Sequence, residues 1–409
     1  MNQVKRGRAF LSTPGPTNVP DRVLNAMHRA AVDLNDPVLV DSMTASFADM
    51  KKVFQTTQSE IFIYITNGHG AWEAALANVL SAGDRILVPE TGNFSGGWRD
   101  VAAAYGATIQ EIPNDWRRAM DPAKVAEALA ADKNHEIKAV LLVHTDTAVG
   151  ITADVPAVRK AIDSVGHPAL LMVDTIASLG TVDFRMDEWG VDIAVTASQK
   201  GLMMPPGLGI VAANPKAVEV HRHSTAPRRY WDWDARLQSE GYRKFCGTAP
   251  EHHMFAMREA LDMIFEEGLE NIFRRHQMLA DAVRACVAVW AEAGALSFNA
   301  INPAERSNGV TTILTAEGID AALLRETARD RFQTAVGGGL GKLQGKAFRI
   351  GHMGDLNEGM ILGTLSAVEA TMAYLGIPYQ RGGVDAAIRS IAEAHRKADA
   401  VPTPMTRVA

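Results

Sequence analysis

At 409 residues the chain exceeds one ordinary domain, which predicts a large domain and a smaller one. A hydrophobic share of 47%, a charged share of 22% and a formal net charge of −6, with no long single-sign run, describe a globular chain and argue against nucleic-acid or anionic-membrane partners. Two cysteines, Cys246 and Cys286, are too few for a disulfide framework or a cysteine metal cluster. No apolar run is long enough to span a bilayer, and the basic start (Lys5, Arg6, Arg8) leads into no signal-peptide core, so a cytoplasmic location is expected.

In chain order, Thr13-Pro14-Gly15-Pro16-Thr17-Asn18 reads as a rigid, helix-averse entry loop, with a helix starting at Pro20-Asp21 and covering about 22–31. A strand over 60–65, the turn Thr66-Asn67-Gly68-His69-Gly70 and a helix over 71–80 make an anion-binding arrangement, since free backbone N–H groups and the helix dipole face the turn. The full dinucleotide glycine spacing is missing there. Further strands are expected over 85–89, 107–112 and 137–144, with helices up to Tyr105 and over 122–131. Phe94, in the loop after the first of these strands, and Trp98, one helical turn on, are aromatics close to that strand end, and a plain core role is open for Phe94.

Two short apolar runs, 170–173 and 192–195, carry the chemistry. They read as strands buried on both faces, and such sheets place their chemistry just past the carboxyl ends of the strands. The first ends in Asp174, and the second leads through Thr196-Ala197-Ser198-Gln199 to Lys200. A lysine amine that condenses with an aldehyde, plus a carboxylate that pairs with a pyridinium nitrogen, is the pairing used by pyridoxal 5'-phosphate (PLP) enzymes. Singly, each could be a helix cap or a solvated loop residue. Against that, Lys200 is followed by Gly-Leu-Met-Met-Pro-Pro-Gly, which carries no solvating charge.

The strand–helix rhythm from 60 to 212 predicts an α/β domain with a mostly parallel sheet. Residues 217–250 are rich in Arg, aromatics and Pro, and long helices over 251–267 and 271–293 lead into an α+β unit. That unit has strands over 310–314 and 347–350, and helices over 320–329 and 358–375. The expected division is an N-terminal arm over 1–20, a large domain over 21–290, a small domain over 291–385, and a final helix with a polar tail over 386–409. The run Val336-Gly337-Gly338-Gly339-Leu340-Gly341-Lys342 is no phosphate loop, because Val336 stands where a glycine is needed and no Ser or Thr follows Lys342. A nicotinamide-dependent oxidoreductase would need a glycine fingerprint and a ribose-binding acid, and neither is placed. A cofactor-free binding protein would not need Asp174 and Lys200 together.

VDTIASLG, TASQKGLMMPPGLGIV and FRIGHMGDLN resemble the serine–glyoxylate and alanine–glyoxylate aminotransferases of the class V, fold-type I PLP enzymes, from Pro14 to about residue 375. The resemblance implies a seven-stranded-type sheet with a smaller C-terminal domain, and a homodimer or tetramer acting on small amino and 2-oxo acids. It makes Lys200 and Asp174 catalytic and gives Gly68, His69, Gly70 and Gln199, with Thr248 from the neighbouring subunit, to the cofactor phosphate. Phe94 falls on the stacking position, Thr147 near the ring's 3-oxygen, and Gly15 and Arg349 on the substrate side. A guanidinium suits that side because it grips a carboxylate through two parallel hydrogen bonds. The resemblance further implies amino transfer from serine to glyoxylate through the pyridoxamine form, with alanine or aspartate as other donors, or pyridoxamine–pyruvate transfer. His-Thr-Asp-Thr-Ala-Val-Gly (144–150) departs from the relatives' His-Asn-Glu-Thr-Ala-Thr-Gly at Thr145 and Asp146, which places the donor choice there. Phe245 replaces a usual Tyr, which removes one phosphate hydroxyl. A cysteine desulfurase is disfavoured, since no Cys lies in a C-terminal loop.

Overall fold

The computed structural model describes residues 5–400. Its centre is a seven-stranded sheet in the spatial order Glu60–Thr66, Gly207–Ala213, Ile193–Ala197, Leu170–Asp174, Ile137–Val143, Arg85–Pro89, Thr108–Ile112. Only Gly207–Ala213 runs antiparallel to its neighbours. The other pairings are parallel, as right-handed crossover helices require. Leu170–Asp174 and Ile193–Ala197 are buried along their whole length, which explains why both read as apolar runs without alternation. In register, Asp174 lies between Val143 and Val195, so two strand ends meet at one level and the third strand runs two residues further.

The helices Gly68–Val79 and Asn93–Ala104 cover one face, where Trp72, Trp98, Leu76 and Val88 share a core cluster. Two helices that the sequence reading passed over, Pro37–Val53 and Val155–Ser164, carry clear start signals. Asp36 accepts from Val38 N and Asp154 from Ala157 N, with proline in the first turn of each.

A second sheet of five strands has the order Phe10–Ser12, Thr334–Gly338, Ala347–Gly351, Val310–Thr315, Leu296–Phe298. The N-terminal segment therefore does more than line a site: Phe10–Ser12 pairs in parallel with Thr334–Val336 at the edge of the C-terminal sheet. The long helix Leu269–Ala291 also packs on this sheet, burying Leu279, Val283, Val287 and Trp290 with Ile313, Phe348 and Leu365. The expected boundary at 290 falls at the end of this helix, after the residues that pack on the smaller sheet. The glycine run from Val336 is the end of a strand, Thr334–Gly338, followed by a 3-10 turn, Gly341–Leu343. Among the described residues no helix is long and apolar enough to cross a membrane.

Candidate active site

At the carboxyl ends of the parallel strands lies a cavity of about 260 Å3, walled by Gly15, Pro16, Asn67, Gly68, His69, Trp72, Phe94, Thr145, Thr147, Asp174, Ile176, Ala177, Gln199, Lys200 and Pro206. Lys200 follows the strand Ile193–Ala197 by three residues. Ser198 ties its loop back: the hydroxyl donates to the Pro205 carbonyl at 2.7 Å and accepts from Leu208 N at 3.2 Å. The N-terminal segment straps the other side. Thr17 N donates to the Gln199 carbonyl at 3.2 Å and the Thr17 hydroxyl to the Lys200 carbonyl at 3.1 Å. The Lys200 amine itself donates to the Pro14 carbonyl. Burial, and then the charge of Arg349, push Lys200 down to about 8, against the pull of Asp174 and Asp146. A neutral, nucleophilic amine is thus reached well below the ordinary lysine range.

Asp174 faces Lys200 across this space and is buried. One oxygen accepts from Ile176 N at 2.7 Å and the other from the Trp72 indole at 3.0 Å. Burial raises its pKa to about 7, while these two hydrogen bonds and Lys200 favour the ionised form.

At the start of the helix Gly68–Val79, the Asn67 side chain accepts from His69 N at 3.1 Å and from Gly70 N at 3.3 Å. Gly68, which also lines the cavity, keeps its N–H outside this cap. Gly70 is not on the wall. A side chain there would collide with Thr66, so packing against the strand requires glycine. Phe94 is on the wall, held by Phe94 N donating to Asp146 at 2.8 Å. Trp98 is fully buried behind, stacked on Trp72 with centroids 6.1 Å apart.

Asp146 points away from the wall. It accepts from Phe94 N and, at 2.9 Å, from Ala148 N, and packs so closely on Gly92 that a Cβ there would come within 2.5 Å of its carboxyl carbon. Burial raises its pKa to about 6. Thr145 and Thr147 do line the cavity, and the Thr145 hydroxyl is shared with Thr152 at 3.0 Å. Arg349 stands just behind the wall, its Nε on the Gly338 carbonyl at 2.6 Å and its Nη1 on the Thr147 carbonyl at 3.0 Å. Gly337 gives it room, since a Cβ would sit 3.2 Å from Arg349 Nε and 2.9 Å from Pro14 Cδ. Burial lowers Arg349 to about 10, with Asp146 opposing.

Thr248 is exposed and lies outside the cavity. Phe245 is a core residue, edge-on to Phe47 at 6.1 Å. Of the wall, the sequence reading gave no site role to Pro16, Asn67, Trp72, Ile176, Ala177 and Pro206. Asn67 immediately before a helix start is a legible cap signal; Trp72 and Ile176 had none beyond closeness to Gly68 and Asp174.

The class V aminotransferase profile matches residues 9–340. The chain belongs to the class V aminotransferases. The enzyme is 43% identical over 387 residues to a serine–glyoxylate aminotransferase of Methylorubrum extorquens, covering 93% of this chain and 95% of that one. It is 41% identical over 377 residues to an L-aspartate–glyoxylate aminotransferase of Paracoccus denitrificans, covering 91% and 94%. Among solved structures, pyridoxamine–pyruvate aminotransferase from Mesorhizobium loti superposes with a TM-score of 0.86 at 27% identity, covering 96% of this chain and 100% of that one. This transaminase therefore has the fold-type I architecture and depends on PLP. The residues present fit that cofactor: an amine and a buried carboxylate face one cavity, an aromatic ring lies on its wall, and Gln199, whose side-chain NH2 can donate to a phosphate oxygen, lines it as well.

Proposed function

We propose that this class V aminotransferase moves the amino group of a small amino acid, serine foremost, to glyoxylate. The observation that carries the reading is the placement of Lys200 and Asp174 at the ends of neighbouring parallel strands on one cavity, with Arg349 pinned beside it by two carbonyls. Serine and glyoxylate are the substrates in the name of the relative at 43% identity. When bound, PLP supplies the carbonyl that receives the amino group and the ring that accepts electrons. Lys200 Nζ holds the cofactor at rest, takes the proton from the donor Cα and returns one to the acceptor Cα in the reverse half-reaction. Asp174 balances the charge of the ring nitrogen, and Phe94 and Thr147 hold the ring. Gln199, Gly68 and His69 hold the phosphate, with Thr248 reaching across a homodimer, and Arg349 and Gly15 shape the carboxylate site.

A second reading, aspartate as donor, is supported by the relative at 41% identity, and pyridoxamine with pyruvate by the structural match. Single-turnover rates for serine, alanine, aspartate and pyridoxamine, each against glyoxylate and pyruvate, test all three. Serine with glyoxylate should be the fastest pair; a faster aspartate or pyridoxamine rate replaces it. A cytoplasmic dimer completes the proposal, to be checked by cell fractionation and by light scattering on the eluted protein.

A further inference from the structure

Trp72 lies one turn into the helix Gly68–Val79, and neither its burial nor its place on the cavity wall is explained by the roles assigned above. Indole has a single donor and no acceptor, so the ring position fixes where that hydrogen points. Here it points at Asp174 Oδ2, 3.0 Å away, while Ile176 N takes the other oxygen at 2.7 Å. Two donors on two oxygens set the plane of the carboxylate and favour its ionised form.

The indole cannot swing away. His69 lies against it at 4.5 Å between centroids, Trp98 stacks behind at 6.1 Å, and Phe94 meets it edge-on at 6.4 Å. The helix Asn93–Ala104 comes so close that a Cβ on Gly97 would be 3.2 Å from the indole. We propose that Trp72 is a positioning residue, whose clamped indole N–H holds the Asp174 carboxylate charged and in one orientation for the ring nitrogen of the cofactor. The inference rests on the role proposed for Asp174.

The test is a double-mutant cycle on PLP affinity, read on the full-length apoenzyme by titrating PLP against protein fluorescence, with Trp72→Phe, Asp174→Asn and the pair. Phe keeps most of the aromatic packing and removes the N–H. In the wild-type background Trp72→Phe should weaken PLP binding by about tenfold or more, as for a lost hydrogen bond to a charged group. In the Asp174→Asn background the same change should alter affinity by less than about twofold, because the group it acts through is gone. An equal loss in both backgrounds, or none in the wild type, would assign Trp72 to packing and overturn the proposal.

If Trp72→Phe does not fold, the indole N–H signals of labelled wild-type apoenzyme provide the second reading. One should sit well downfield and move upfield in Asp174→Asn; no movement overturns the proposal. A wild-type apoenzyme that binds no PLP fails earlier, by refuting the cofactor assignment itself.

Discussion

The two walls of the cavity are held by different parts of the fold. Asp174 and Lys200 stand at the ends of strands that are hydrogen-bonded neighbours in one parallel sheet, and the Asp174–Val195 register fixes their separation. Gly15, Thr147 and Arg349 come instead from the N-terminal segment, a loop of the large sheet and a strand of the small one. Arg349 is held in place by two carbonyls, that of Gly338 in its own sheet and that of Thr147 in the turn beyond the strand Ile137–Val143. The cofactor wall is thus rigid by construction. The wall proposed for the substrate carboxylate depends instead on how segments from two sheets dock.

The sharpest way to break this separation is Gly15→Ala. Gly15 has φ +115°, and a Cβ there would overlap the Lys200 side chain, so a change on one wall should reach the other. Turnover should fall on the order of 100-fold, as for a displaced reacting group, with steady-state rates as the check. Arg349→Lys should stay on its own wall. It keeps the charge but loses the planar fork, and should slow both half-reactions by about tenfold while PLP affinity stays within about twofold. If PLP affinity falls in step, the two walls are one unit.

The cofactor wall was largely legible in the sequence because its residues follow short apolar strands directly: Asp174, Gln199 and Lys200 sit where a strand ends, and the sheet does the rest. The other features depended on packing between segments far apart. Asp146 reads as a donor-tuning position; its carboxylate turns to Phe94 N and Ala148 N, away from the cavity that Thr145 lines. Gly70 reads as part of a phosphate turn, and its missing side chain serves Thr66 instead. The glycines at 337 and 338 read as a failed phosphate loop. Gly337 leaves room for Arg349 and Gly338 offers it a carbonyl, which no local pattern announces.

Smaller effects follow from the buried charges of the cofactor wall. Because Lys200 is pushed down to about 8, the rate at which apoenzyme takes up PLP should rise about tenfold per pH unit below that value and level off above it. A rate still climbing at about pH 10 would mean an ordinary lysine. Asp174 has a folded pKa of about 7, raised above its usual value, so the stability it contributes is present at low pH and is lost as pH rises through about 7. The melting temperature of Asp174→Asn apoenzyme relative to wild type should therefore climb by a few degrees between about pH 5 and pH 8, seen by calorimetry at each pH. A flat difference would show that the carboxylate is ionised in both states.

The central claim is that Lys200 is the residue that carries the cofactor. Borohydride reduction of the PLP-loaded enzyme, followed by proteolysis and mass spectrometry, tests it most directly. The reduced adduct should appear on the peptide containing Lys200 and vanish in Lys200→Ala, with the visible band lost in the same step. An adduct on any other lysine, in an enzyme that still transaminates, would contradict the account.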